Sequence, residues 1–370
     1  MGFCRDTKSL FSGNGVRTVT DIMTIDLDKT AAYDYKLPKE LIAQNPAEPR
    51  DSARLLVIKR NQGIIAEKTF KDIKEYLIPG DLLVMNDTRV LPARVFGVKK
   101  YGGANVEIFF LRPAPLPNLW IALVKPGRKL NEGTVVSLDE HTDVTVGERL
   151  EDGLRIISFQ PDSDPFDIIH KFGTTPLPHY ITHTDSEPER YQTVYAKTEK
   201  ENSVAAPTAG LHFTTELLRE LKLMGVAETF VTLQVGLGTF RPVKAENIKE
   251  HIMHHETCEI SKETAEKITS TKQRGGRVIA VGTTVVRTLE SFAEKYGGVR
   301  EGTLDTQLFI SPGYKFKVID GLITNFHLPM STLLMLVSAF GGYETMMSSY
   351  EKAVEREYRF FSFGDSMFIS

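Results

Sequence analysis

Two cysteines in 370 residues, Cys4 and Cys258, are too few for a disulfide framework, so a reducing, cytoplasmic setting is expected. No apolar run is long enough to span a bilayer, so no membrane role is expected. The first residues carry Arg5, Lys8 and Arg17 without an apolar core, so no secretory signal is expected either. Neither charge sign dominates: the formal net charge is −3, with 25% charged and 41% hydrophobic residues. That balance argues against an indiscriminate nucleic-acid coat while leaving room for a local basic patch. Lys99/Lys100, Lys125/Arg128/Lys129 and Lys315/Lys317 are candidate patches, each of which reads first as a solvated loop. Internal repeats and low-complexity tracts are missing too. What is left is an ordinary globular composition with length enough for two domains.

Three stretches share one layout of strand, polar loop and helix. Ser203–Thr214 packs Pro207, Thr208, Gly210 and His212 between an apolar lead-in and a helix. Thr214 or Thr215 caps that helix, and Gly225 stops it. Arg277–Val281 reads as a buried strand running into Gly282-Thr283-Thr284 and a second helix. Gly321–Thr324 runs into Asn325-Phe326-His327-Leu328-Pro329, where Pro329 suits a first helical turn and Leu333–Phe340 reads as a buried helix. Loops at the carboxyl ends of strands line the ligand crevice of an open α/β sheet, so the three are expected to share one site.

The texture differs elsewhere. Residues 1–23 are rich in Ser, Gly and Thr and are expected to be poorly ordered, with Met23 a candidate start of the folded part. Arg54–Lys59 and Gly63–Phe70 form an expected hairpin around Asn61-Gln62-Gly63. From 72 to 159 short strand-like runs alternate with Gly, Pro and charged turns, which suggests a small barrel or sandwich. The predicted fold is therefore α/β: a large domain over 24–71 and 160–370, with an all-β domain inserted over 72–159.

Two familiar motifs fail on inspection. Gly236-Leu237-Gly238 lacks the third glycine of a dinucleotide loop, since position 241 is Arg241. His251, His254 and His255 fall at helical spacing, but no cysteine pair or carboxylate completes a standard zinc set, so no metal is expected. The loops offer better candidates. His212 at a helix entrance suits a general base, and the odds improve with Thr208, Thr283, Thr284 and His327 in matching loops. Arg287 and Glu290 lie one turn apart. They read either as a surface ion pair or as a carboxylate clamp with Glu290 orienting Arg287. Arg89 and Arg94 read as phosphate contacts or as plain surface residues. Residues alone lead to an α/β enzyme with a Thr/His/Arg-lined cleft for an anionic or nucleotide-like ligand.

Several long motifs then carry a resemblance. Asp34–Gln44, Asn86-Asp87-Thr88-Arg89-Val90-Leu91-Pro92-Ala93-Arg94, Ala205–His212, Gly282-Thr283-Thr284-Val285-Val286-Arg287-Thr288-Leu289-Glu290, Asn325–Pro329 and Arg359–Asp365 resemble the S-adenosylmethionine:tRNA ribosyltransferase-isomerases of queuosine biosynthesis. The resemblance covers about Asp34 to the end. It implies a three-layer α/β/α domain with an inserted β-barrel. It also implies transfer and isomerisation of the ribosyl part of S-adenosylmethionine onto 7-aminomethyl-7-deazaguanine at the tRNA wobble position, with loss of adenine and methionine. S-adenosylmethionine is then a consumed co-substrate, no retained cofactor is needed, and tRNA is the partner of a monomer. On this reading His212 is the base and His327 the acid or adenine contact. Thr208, Thr283, Thr284 and Asn325 meet the substrate, Arg287 with Glu290 holds its carboxylate, and Arg89, Arg94 and Arg359 hold RNA. The sequence departs from the family pattern at Gln234, where His is usual, at His179, where Pro is common, and at Ser52-Ala53. A pure RNA-binding module, an ordinary methyltransferase and a metal hydrolase are the rival classes.

Overall fold

The computed structural model describes residues 25–236, 243, 245–253 and 255–370. Expectations for residues 1–23, Gly238, Arg241 and His254 lie outside the described residues. Nine strands form one sheet in the order Gly302–Thr306, Glu256–Ile260, Ala227–Leu233, Leu82–Asn86, Val278–Val281, Gly321–Asn325, Ser366–Ile369, Arg54–Lys59, Gly63–Thr69. The central four, Ala227–Leu233 to Gly321–Asn325, run parallel. Their unbroken apolar runs follow from burial on both faces. Leu82, Val84, Val278 and Ala280 feed one apolar layer, and Leu83, Met85, Ile279 and Val281 feed the other. The first layer is closed by Val286, Leu289 and Phe292 of the helix Thr283–Tyr296, the second by Leu217 and Leu221 of the helix Thr215–Leu223. The outcome is the expected three-layer α/β/α arrangement.

A second sheet closes on itself. Six strands between Arg94 and Ser158 pair in a ring, because Arg94–Lys99 pairs with both Asn105–Pro113 and Thr134–Ser137. Closure needs Gly97: a Cβ there would stand 2.7 Å from the Val136 side chain and 2.8 Å from the Ser137 carbonyl oxygen. The barrel is filled by alternating inward residues such as Val95, Val106, Ile108, Trp120, Val136 and Ile157.

Three expectations need correction. The all-β unit was expected to begin at 72, but Leu82–Asn86 sits in the middle of the nine-stranded sheet, and the barrel begins at Arg94. A buried apolar run does not reveal which sheet it joins. Glu201–Ser203, ahead of the first polar loop, pairs only with Arg89–Val90 in a two-stranded piece outside the main sheet. The third helix starts at Thr332, with Ser331 accepting from the Leu334 N–H at 3.2 Å, so Pro329 precedes it.

Candidate active site

The three polar loops converge. Pro207, Thr208 and Ala209 from the first, Gly282, Thr283 and Thr284 from the second, and Asn325 and His327 from the third line one open cleft of about 470 Å³. The second and third loops lie at the carboxyl ends of adjacent parallel strands, and the first docks against them. Gly282 makes the docking possible. It has φ +94°, which strains any other residue, and the Ala209 Cβ stands 3.5 Å from where its own Cβ would be. Because Gly282 offers no side-chain cap, the N-terminus of the 14-residue helix Thr283–Tyr296 presents uncapped N–H groups at the cleft. Thr284 Oγ1 and Asn325 Oδ1 are buried there without a protein partner. Buried polar atoms are normally satisfied, so two orphans on one wall mark a ligand position.

His327 stands on the cleft wall and is held from three sides. Its ring Nε2 is 3.1 Å from Thr324 Oγ1, its backbone N–H donates to Tyr350 Oη at 3.0 Å, and its carbonyl accepts from Tyr35 Oη. Burial lowers its pKa to about 3, so the ring is neutral near pH 7. His212 is placed differently. It lies behind Asn325, packed against the Phe70 ring at 5.0 Å between centroids, and burial lowers its pKa to about 4. The structure therefore brings Thr208, Thr283, Thr284, Asn325 and His327 to the cleft and sets His212 one layer deeper.

The Arg287–Glu290 clamp does not form. The helix that carries them is buried from Thr283 to Ala293, so each charge finds a partner from a distant segment. Arg287 pairs with buried Glu256 and donates to the Leu308 carbonyl at 3.1 Å. Glu290 accepts from the backbone N–H groups of Lys317, Val318 and Ile319 at 2.8, 3.0 and 3.3 Å. The arginines expected to meet RNA also have carboxylate partners: Arg89 with Glu189 and Glu201, Arg94 with Glu107, and Arg359 with Asp365. Arg359 lies in the loop whose Phe361 and Ser362 line the cleft. Ser362 lies in the Arg359–Asp365 motif, where Arg359 is the conspicuous charge, and nothing local to the sequence marks Ser362 as a cleft residue. Among the described residues no group of three or more His, Cys, Asp or Glu is arranged to hold a metal ion. No helix among them is long and apolar enough to cross a membrane.

Comparison with known proteins gives the family. The family described as queuosine biosynthesis protein matches residues 30–369. A relative from Carboxydothermus hydrogenoformans is 55% identical over 342 residues, covering 92% of this chain and 99% of its own. One from Halothermothrix orenii is 51% identical over the same length and coverage. Both are called S-adenosylmethionine:tRNA ribosyltransferase-isomerase. The crystal structure of an S-adenosylmethionine tRNA ribosyltransferase from Thermotoga maritima is 42% identical, covers 92% of this chain and 100% of its own, and superimposes with a TM-score of 0.54.

Proposed function

The chain belongs to the queuosine biosynthesis protein family, and from that premise we propose how its cleft performs the family's reaction. It is an enzyme, a ribosyltransferase-isomerase acting on S-adenosylmethionine and tRNA. The ribosyl part of S-adenosylmethionine is transferred and isomerised onto 7-aminomethyl-7-deazaguanine at the wobble position. Epoxyqueuosine forms, and adenine and methionine leave. S-adenosylmethionine is consumed and no retained cofactor takes part. The enzyme is read as a monomer working in the cytoplasm, where its tRNA substrate is modified.

One observation carries the assignment of the site: the orphaned Thr284 Oγ1 and Asn325 Oδ1 beside an uncapped helix N-terminus, with His327 on the same wall. The N–H groups of Thr283 and Thr284 suit the methionine carboxylate, since Arg287 is engaged by Glu256 away from the cleft. Thr208, Thr284 and Asn325 hydrogen-bond the sugar. The sulfonium acidifies the hydrogens of the 5′ carbon, and the neutral His327 ring accepts one of them, then returns a proton as adenine departs. His212 positions Asn325 from behind. Arg94 and Arg359, each with one carboxylate partner, contact RNA, whereas Arg89 is held by two, Glu189 and Glu201.

Product analysis tests the reading. Incubation with S-adenosylmethionine and an anticodon stem-loop carrying 7-aminomethyl-7-deazaguanine releases adenine and methionine in equal amounts, with a matching mass gain on the RNA. S-adenosylhomocysteine as product would contradict it.

A further inference from the structure

A second pocket, open to solvent, lies between the barrel and the α/β layers. Strand alternation builds its barrel wall. Val95, Val106, Ile108 and Val124 point into the barrel core, so Arg94, Glu107, Phe109, Leu123 and Lys125 point outward. Cross-strand register sets Phe109 between Arg94 and Leu123, and Glu107 beside Lys125. Phe109 and Leu123 thus make an apolar floor next to a carboxylate flanked by two cations. Arg94 Nε stands 3.3 Å from one Glu107 oxygen, and Lys125 Nζ 3.4 Å from the other. The facing wall holds His179 and Ala205. Ala205 is one residue, about 3.8 Å, from Ala206 on the cleft wall.

We propose that this cavity takes the acceptor nucleobase, a guanine-type base turned out of the anticodon loop. The inference rests on the proposed reaction and adds where its second substrate is read. A base that undergoes chemistry must leave its stack and enter a pocket beside the reacting centre. The Watson–Crick edge of guanine presents two donor groups, N1–H and the 2-amino group, next to the O6 acceptor. Glu107 accepts from the two donors, since a carboxylate has lone pairs left beyond its contacts to Arg94 and Lys125. Arg94 or Lys125 donates to O6. Adenine and cytosine lack the adjacent pair of donors. The base rests its face on Phe109 and Leu123, with its aminomethyl arm directed past Ala205 toward the cleft. Phe96 extends the same outward patch, directly across from Glu107, and is 56% exposed. An exposed aromatic at the rim is a stacking platform for the neighbouring nucleotide.

Glu107→Gln and His179→Ala test the two walls, and both residues reach solvent, so neither change threatens the core. Two stem-loops are compared, one with 7-aminomethyl-7-deazaguanine and one with the same base lacking its 2-amino group. Binding is read by fluorescence anisotropy without S-adenosylmethionine, and KM for each substrate by adenine release. The proposal expects Glu107→Gln to weaken RNA binding and raise the RNA KM about 10-fold or more. It also expects the KM for S-adenosylmethionine to hold and the preference for the 2-amino base to vanish. His179→Ala raises the RNA KM alone. Unchanged RNA binding in both variants would overturn the proposal. So would a parallel rise in both KM values, which would place S-adenosylmethionine in the cavity. If the wild-type protein released no adenine, the proposed reaction would fail separately, and the anisotropy comparison would still decide the base pocket.

Discussion

The Nδ2 of Asn325 lies 3.3 Å from the Nε2 of His212 and donates to the Phe361 carbonyl at 3.0 Å. The second contact identifies that atom as a donor, so His212 Nε2 accepts and its proton sits on Nδ1. A histidine used in this way fixes an amide. It holds Asn325 with its carbonyl oxygen unpaired at the cleft wall.

Different outcomes follow for the two histidines. His327→Gln should lower kcat by about 100-fold or more, the usual range for a proton-transfer residue, with little change in the KM for S-adenosylmethionine. His212→Gln keeps an amide able to face Asn325 and should cost much less, mainly in KM. Steady-state adenine release separates the two. A larger kcat loss for His212→Gln would return the base assignment to His212.

Arg287 and Glu256 predict a stability effect. Arg287→Met strips Glu256 of its guanidinium in a buried setting, and breaking such a pair costs about 3–5 kcal/mol. The double change Arg287→Met with Glu256→Met should cost less than either alone. Urea unfolding measures both. The KM for S-adenosylmethionine of the folded variant should stay near wild type, since Arg287 does not line the cleft.

Acid should destabilise the protein through the same buried histidines. Their native pKa values, about 3 for His327 and about 4 for His212, lie below the unfolded value near 6.5. Between these limits the unfolded chain binds protons that the native chain does not, so stability falls as pH drops below about 6.5 and is flat above it. His327 alone accounts for about 2 kcal/mol between pH 7 and pH 5. Unfolding free energies of wild type and His327→Gln at the two pH values isolate that share; an equal pH dependence would contradict it.

Much of this was legible in the residues. Thr214 and Gly225 marked helix ends where the structure has them, because caps act over three or four residues. The barrel strands were readable because turns punctuate them. Long-range pairings were not. Nothing local says that Arg287 meets a residue 31 positions earlier, or that Glu290 ties down a backbone segment 27 to 29 positions later. One-turn spacing suggested a shared exposed face, but the helix is buried all round over those residues, and each charge is satisfied by another element. His212 was singled out for its motif, and only the packing of Phe70 and Asn325 around it shows that it stands behind the wall.

The most direct test of ribosyl transfer in this cleft uses S-adenosylmethionine carrying two deuterium atoms on its 5′ carbon. Removal of one hydrogen there opens the proposed reaction, so the RNA product should retain one deuterium and the other should pass to solvent. Retention of both, or a methylated RNA with none, would contradict the account.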